Sequence, residues 1–354
     1  MSELELSATY PIARAKFLTA AKLAGASMSA TGHPLRGPEG EALGIDVADL
    51  GPADAGTVVF VTSATHGVEG YCGSALQTHW LTHQSEDRSA NVRVVMVHAL
   101  NPFGMAWVRR VNEDNVDLNR NFIDWTQPAP NNDDYDLIAS DIVPSDWSQA
   151  SQQRTMTALL ELVGTWGFPK VQAVVSGGQY KHPKGVFYGG RGPVWSHRWL
   201  REWCSANLAD ANRLLIIDLH TGLGEWGHGE LIGGGAPGDA IFDRAIRLWP
   251  DTKSMLTGDS VSAVLSGDWF TVAGDLAPHA DVTPICIEYG TVDGITVLQS
   301  LRADAWLHGY GDPAGPEAPA VRAQVRAAFA DDNPEWIATC WPRFLEVINA
   351  ALRA

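Results

Sequence analysis

The chain has 354 residues and a formal net charge of −16, because 41 Asp and Glu outweigh 25 Lys and Arg. This acidic balance argues against binding to nucleic acid or to an anionic membrane surface, since both interactions need basic patches. Hydrophobic residues make up 45% of the chain and charged residues 19%, a balance typical of globular rather than disordered proteins.

Short apolar and β-branched runs alternate with longer helical patterns along the chain. The predicted strands are 57–62, 92–99, 171–175, 214–219 and 284–289. The predicted helices are 69–83, 148–165, a helix with Trp195, Trp199 and Trp203 on one face, 320–330 and 334–354. Strands that alternate with helices predict an α/β fold around a mostly parallel sheet, covered on both faces.

One segment breaks this alternation. Residues 126–147 are rich in Pro, Asn and Asp, a composition typical of a linker or of an insertion in an enzyme. The segments on both sides resemble parts of one sheet. We therefore expect a single domain over 1–354 with an acidic insertion near 126–147, which could restrict the mouth of a site.

The strongest chemical pattern is a His-x-x-Glu pair that follows the first clear predicted strand. His66 and Glu69 lie where strand gives way to helix, so both side chains leave the same side of the first helical turn. His220 follows another predicted strand, at the edge where α/β sheets bind ligands. Two His and one Glu leave a fourth zinc position open, as catalytic zinc sites do. The sequence therefore predicts one Zn²⁺ per chain.

Arginine and amide side chains are concentrated between the first two of these ligands and the third. In the run 117–120, Asp117 and Asn119 share one face of an extended segment, and Asp117 could accept a hydrogen bond from a ligand imidazole. Asn119 and Arg120 could bind a substrate carboxylate, although Arg120 starts on the opposite face. Arg109 and Arg110 add further cations. The alternative is a solvated turn held by salt bridges.

Glu288 lies in a run that is otherwise apolar. An ionised carboxylate is costly in such a place unless it has a partner. Near a metal, it could take a proton from water and pass it to a leaving group. The alternative is a buried ion pair with one of the arginines.

Taken together, these motifs resemble the zinc carboxypeptidase superfamily. His66-x-x-Glu69, the run 117–120, His220 and Glu288 occur in that family's order. Within the superfamily, the strings HGVEG, NPFG, VDLNRNF, SGGQY…FYGG and DLHTGLG resemble a branch described mainly as a domain of unknown function. That branch is similar to metallocarboxypeptidases and to the succinylglutamate desuccinylase and aspartoacylase group. The motifs span residues 57–291.

The resemblance implies a three-layer α/β/α fold with a mixed, mostly parallel sheet of about eight strands. It also implies the roles of the candidate residues. His66, Glu69 and His220 would bind zinc, Asp117 would be the partner of His66, Asn119, Arg120 and Arg109 would contact the substrate, Arg110 would polarise the scissile carbonyl, and Glu288 would be general base and then acid.

Two departures from the carboxypeptidase pattern bear on the substrate. Carboxypeptidases carry a tyrosine on a mobile loop between the third ligand and the glutamate, whereas residues 220–288 contain no Tyr. Tyr180, Tyr188 and Tyr289 are the candidates for such a phenol elsewhere. The second departure is the acidic insertion. Both argue against large unfolded proteins as substrates.

These patterns predict a cytoplasmic zinc hydrolase that cleaves an amide next to a free carboxylate, most simply a carboxypeptidase-like enzyme acting on small peptides. An N-acyl amino acid deacylase and a catalytically inactive zinc-binding scaffold are the alternatives. A serine hydrolase built on Ser176 lacks the G-x-S-x-G pattern. No run of about 18 apolar residues and no signal-peptide core is present, and four scattered cysteines suit a reducing compartment.

Overall fold

An eight-stranded mixed sheet, with the strand order β1-β2-β4-β3-β5-β8-β6-β7, forms the centre of the computed structural model. The structure describes residues 4–85, 89 and 91–354. The strands are β1 (Ser27–Arg36), β2 (Ala42–Leu50), β3 (Thr57–Ser63), β4 (Val92–His98), β5 (Arg213–Trp226), β6 (Gly229–Gly233), β7 (Lys253–Ser254) and β8 (Asp281–Gly290).

Helices cover both faces of the sheet and its carboxyl-end edge. They are α1 (Tyr10–Leu23), α2 (Gly70–His83), α3 (Pro102–Trp107), α4 (Asp133–Asp136), α5 (Ala139–Ile142), α6 (Gln149–Trp166), α7 (Phe168–Ser176), α8 (Trp195–Asn207), α9 (Ala240–Leu248), α10 (Ala273–Leu276), α11 (Gly294–Gly309), α12 (Ala318–Phe329) and α13 (Pro334–Leu352). Among the described residues, no helix is long and apolar enough to cross a membrane.

The four central strands β4, β3, β5 and β8 run parallel, whereas β1–β2, β2–β4 and β6–β8 are antiparallel pairs, and the edge strand β7 pairs parallel with β6. Parallel strands end at one edge of the sheet, so the residues that follow β3 and those at the end of β5 and β8 meet there. This arrangement confirms the predicted α/β class and the mixed sheet of about eight strands.

Alternate side chains of β3 pack into two different apolar clusters, one on each face of the sheet. Val59 and Val61 belong to the apolar cluster that includes Trp80 of α2 and Trp336 of α13. Val58 and Phe60 belong instead to the cluster beneath α8 and α10. Successive side chains of a strand point to opposite faces, so a strand buried on both faces is apolar throughout.

One predicted strand is wrong. Residues 171–175 lie in helix α7, which follows α6 after Gly167, a residue with φ of 81°. Pro169 in the first helical turn suits a helix start, because its missing N–H would be unpaired there in any case. A short apolar run of β-branched residues does not distinguish a buried strand from a buried helix segment.

The acidic segment 126–147 contains the short helices α4 and α5. Asn132 ties the segment to α7, since its Nδ2 donates to the carbonyl oxygens of Val174 and Gly178 at 2.9 Å. The segment supports the outer side of α7. Strands β1, β2, β6 and β7 were not predicted from the sequence, because their runs are interrupted by Gly, Pro or charged residues.

A histidine is buried in the layer between α1 and the sheet. His98 ends β4, its Nε2 lies 2.9 Å from Ser74 Oγ, and its ring stacks on Phe17 with centroids 4.6 Å apart. Burial, together with the positive charge of Arg14, lowers the pKa of His98 to about 3. Arg14 is ion-paired with Asp46, which faces His98 in the strand register.

This histidine makes folding sensitive to acid. In the unfolded chain the His98 imidazole has a pKa of 6.5, whereas in the folded protein its pKa is about 3. The unfolded state therefore binds more protons below pH 6.5, and the free energy of unfolding should fall there by about 1.4 kcal/mol per pH unit through this group.

Chemical denaturation at pH 5.0–7.5 tests this expectation. His98→Gln should flatten the dependence by about one proton, because the variant has no imidazole at this buried position. Equal slopes in the wild type and in His98→Gln would contradict the assignment.

Candidate metal centre

Three predicted ligands meet at the carboxyl-end edge of the sheet. His66 follows β3, and Glu69 ends a 3-10 turn (Gly67–Glu69) that leads into α2. Gly67 is needed in this turn, because a Cβ there would lie 2.1 Å from a backbone atom of Gly104. His220 lies in β5, directly after the positions that pair with β3. The β3–β5 register therefore brings together residues that are 151 or more positions apart.

The donor atoms of these side chains converge on one point. His66 Nδ1 lies 3.0 Å from Glu69 Oε1, and His220 Nδ1 lies 3.0 Å from Glu69 Oε2 and 3.1 Å from His66 Nδ1. All three residues are buried. Two imidazole nitrogens cannot both donate to each other, whereas a cation between them and the carboxylate satisfies all three. This donor set fits zinc.

Each histidine is oriented by a carboxylate behind it. His66 Nε2 lies 3.2 Å from Asp117 Oδ1, and His220 Nε2 lies 2.6 Å from Asp218 Oδ2. For His220 this contact places the N–H on Nε2 and leaves the Nδ1 lone pair facing the shared point, as carboxylate–histidine–metal arrangements do. His66 Nε2 also lies 2.9 Å from Arg110 Nη2, a group that can only donate. Asp117 therefore lies beside His66.

Asp218 is a candidate site residue that the sequence reasoning missed. Its carboxylate accepts hydrogen bonds from Thr62 Oγ1 at 2.5 Å, Thr65 Oγ1 at 2.9 Å and Trp269 Nε1 at 2.8 Å. Asp218 precedes His220 by two positions in one strand, so both side chains lie on the same face. That spacing was the available signal.

Arg110 lies against the ligands. Its Nη1 donates to Glu69 Oε1 at 2.6 Å, and its Nε donates to Asp117 Oδ2 at 3.1 Å. Burial would raise the carboxyl pKa of Glu69 and of Asp117, but Arg110 and His66 hold both pKa values below their ordinary range. Burial opposes the charged form of His220, yet Asp218 and Glu69 raise its pKa well above the usual value.

Glu288 faces the same cavity from β8, opposite His220 in the strand register. Its Oε1 accepts a hydrogen bond from the Leu223 N–H at 3.0 Å. Burial, reinforced by the negative charge of Glu69, raises the pKa of Glu288 to about 7. A carboxyl group with such a pKa can exchange protons near neutral pH.

The remaining predicted residues separate into two groups. Asn119 and Arg120 line the cavity, and the Arg120 guanidinium also donates to the carbonyl oxygens of Ser176 and Asn119. Arg109 is not among the cavity-lining residues. Its guanidinium is paired with Asp304 of α11 at 3.0 Å, so it joins two segments rather than facing the cavity.

The cavity has a volume of about 390 Å³, and it is lined by His66, His220, Arg110 and Glu288. No tyrosine lines it within the described part of the chain. Tyr180 donates to the Arg120 carbonyl oxygen outside the cavity, while Tyr188 and Tyr289 are buried in the core. The acidic segment 126–147 contributes no lining residue, whereas α7 does.

A loop between β7 and α10 forms one cavity wall through Met255, Ser262, Ala263 and Leu265. Glu230 of β6 holds it. Its Oε1 accepts from Ser260 Oγ and from Val261 N at 2.8 Å, and its Oε2 accepts from Lys253 Nζ at 2.6 Å. Residues 256–265 otherwise form hydrogen bonds only within the segment 254–265. Among the described residues, Glu230 is therefore the one partner that ties this loop to the rest of the protein.

The profile of one protein family, described as "Protein of unknown function (DUF2817)", matches residues 6–343. No functionally curated protein matches the sequence.

Several solved structures share the fold at low identity. Carboxypeptidase A from Helicoverpa armigera is 16% identical with a TM-score of 0.48, over 93% of this chain and 76% of that one. An aspartoacylase family protein from Mesorhizobium loti is 14% identical with a TM-score of 0.37, over 80% and 67%. A succinylglutamate desuccinylase from Silicibacter sp. TM1040 is 14% identical with a TM-score of 0.39, over the same shares.

Metal affinity should depend on the carboxylates behind the histidines. We expect Asp218→Asn to weaken zinc binding by roughly 10–100-fold, because His220 loses the partner that fixes its tautomer. Competition with a chromogenic chelator measures the affinity. The double variant His66→Ala, His220→Ala should retain no stoichiometric zinc, and zinc retained there would contradict the site.

Glu230→Ala should release the cavity wall without disturbing the metal ligands. We expect amide hydrogen exchange over residues 256–265 to accelerate by at least about tenfold, because Ser260 and Val261 lose their acceptor. Zinc content should stay unchanged. Glu225→Ala, at an exposed position of β5, is the matched control, and equal exchange in both variants would contradict the role of Glu230.

Proposed function

Because the chain belongs to the family described as "Protein of unknown function (DUF2817)", we propose its function from the site: a zinc-dependent hydrolase that cleaves an amide next to a free carboxylate. The observation that carries the proposal is the convergence of His66, Glu69 and His220 on one point, with Glu288 in the same cavity. A site that only stores metal has no need of a half-buried carboxyl group beside its ligands.

Glu288 is the proton carrier in this proposal. Zinc held by His66, Glu69 and His220 would supply Lewis acidity toward water and the amide carbonyl. Glu288 accepts the proton of the attacking water, whose oxygen forms a bond to the carbonyl carbon. It then gives that proton to the nitrogen as the C–N bond breaks, so the products are a carboxylic acid and an amine. Its pKa of about 7 suits both transfers.

Three side chains would orient the substrate. Arg110 lies next to Glu69 and lines the cavity, so its guanidinium is the cation nearest the scissile carbonyl. Asn119 and Arg120 line the cavity as well, and they would receive the free carboxylate of the substrate. Arg109 takes no part, because Asp304 holds its guanidinium elsewhere.

The leading substrate class is a short peptide cleaved at its carboxyl end. An N-acyl amino acid is the second candidate, favoured by the lack of a tyrosine among the described cavity-lining residues. Both classes present a carboxylate beside an amide. The four cysteines are all free thiols, which supports a reducing cytoplasm as the location.

A substrate screen with Glu288→Gln tests the mechanism. We expect the zinc-loaded protein to hydrolyse short peptides or N-acyl amino acids, and the variant to lose roughly 100-fold or more in kcat with full zinc content. Glu225→Gln, at an exposed position, is the control. Hydrolysis that persists in Glu288→Gln would remove its proposed role, and inertness of the zinc-loaded wild type toward both classes would remove the amide-hydrolase function.

A further inference from the structure

We propose that the substrate carries a long, uncharged apolar substituent, bound in the part of the cavity that α7 and α11 build. This inference deepens the proposed function and rests on it. It selects among amides: it favours apolar peptides and aliphatic N-acyl amino acids, and it disfavours substrates with a second carboxylate remote from the scissile bond.

The apolar arm, as we call this part of the cavity, belongs to the same cavity as His66, His220 and Glu288. Its walls are aliphatic and aromatic: they are Val171 and Val175 of α7, Val297, Leu298 and Leu301 of α11, and Phe329 of α12. A substrate held at the metal centre therefore has an apolar space beside it. Burying each methylene in such a space is favourable.

Two apolar side chains at the start of their helices extend this surface to solvent. Phe168 is the first residue of α7 and is 57% exposed, and Ile295 in the first turn of α11 is 59% exposed. Both also line the cavity. Large exposed apolar side chains that continue a cavity wall indicate a ligand group reaching from the interior to the surface.

The charges around the cavity disfavour an anion in the apolar arm. Among the described residues that line the cavity, Arg110 and Arg120 are the ones with a Lys or Arg side chain. Arg110 is held against Glu69, and Arg120 is held by the Ser176 carbonyl oxygen. A second carboxylate in the arm would lose its hydration without gaining a cation, which is costly.

The acidic lining residues strengthen the same selection. Asp293 caps the first turn of α11 beside Ile295, and it lines the cavity together with Asp268 and Glu288. An anionic substituent beside Ile295 would meet the Asp293 carboxylate, whereas an alkyl or aryl group would meet the apolar walls. The scissile amide and its carboxylate remain at the end where Arg110 and Arg120 lie.

Binding of unreactive product mimics tests this inference independently of turnover. Calorimetric titration of the zinc-loaded protein with straight-chain monocarboxylates from acetate to octanoate should show affinity rising about fourfold per added methylene. Dicarboxylates of equal length, such as succinate against butyrate, should bind at least tenfold more weakly. An affinity independent of chain length, or succinate binding more tightly than butyrate, would overturn the proposal.

Variants locate the effect in the apolar arm. The double variant Phe168→Ser, Ile295→Ser should weaken octanoate binding by about tenfold and leave acetate binding unchanged, because only the longer chain reaches these side chains. Leu160→Ser is the matched control, since Leu160 is an exposed leucine of α6 that does not line the cavity. Equal loss in the control, or no loss in the double variant, would overturn the placement.

Failure of this inference is distinguishable from failure of the proposed function. The chain-length dependence should persist in Glu288→Gln, which binds without turnover. A clear dependence together with no hydrolysis of any amide would remove the hydrolase proposal and keep the apolar arm. Hydrolysis that prefers charged or small substrates, with no chain-length dependence, would remove the apolar arm and keep the hydrolase.

Discussion

The position of the third ligand depends on one fully buried carboxylate. Asp218 accepts hydrogen bonds from Thr62, Thr65, Trp269 and His220, so it joins β3, the turn after β3, β5 and the turn that begins at Trp269. A buried carboxylate without such donors would cost several kcal/mol or take up a proton. The four donors come from separate segments, so their hydrogen bonds to the Asp218 carboxylate hold these segments in place relative to one another.

The charge balance around the ligands explains why this edge of the sheet suits a cation. Glu69, Asp117 and Asp218 are buried together, and Arg110 supplies one permanent positive charge beside the first two. Arg120 lies farther away, at 3.9 Å from Asp117. The remaining negative charge is balanced either by protons on the histidines or by a divalent ion between them. Binding of a divalent ion at this point would therefore release protons from the histidines.

Much of this arrangement could be predicted, because part of it is local. The spacing of His66 and Glu69 is set by a single turn, and the apolar runs of β3 and β5 are readable as buried strands. The pairing of His220 with Glu288 is different, since it depends on the β5–β8 register. The helix at 171–175 shows the limit of pattern reading, because burial in a helix hairpin produces the same apolar run as burial in a sheet.

The two neighbouring arginines show why residue roles need tertiary contacts. Val108 has a φ of 57°, and after this left-handed residue the side chains of Arg109 and Arg110 diverge. Arg110 meets Glu69, whereas Arg109 meets Asp304, 195 positions along the chain on α11. Breaking a buried ion pair by removing one partner costs about 3–5 kcal/mol of folding stability. The Arg109 guanidinium therefore stays paired with Asp304 of α11. The same helix builds a wall of the cavity, and this ion pair therefore fixes that wall against the segment that carries Arg110.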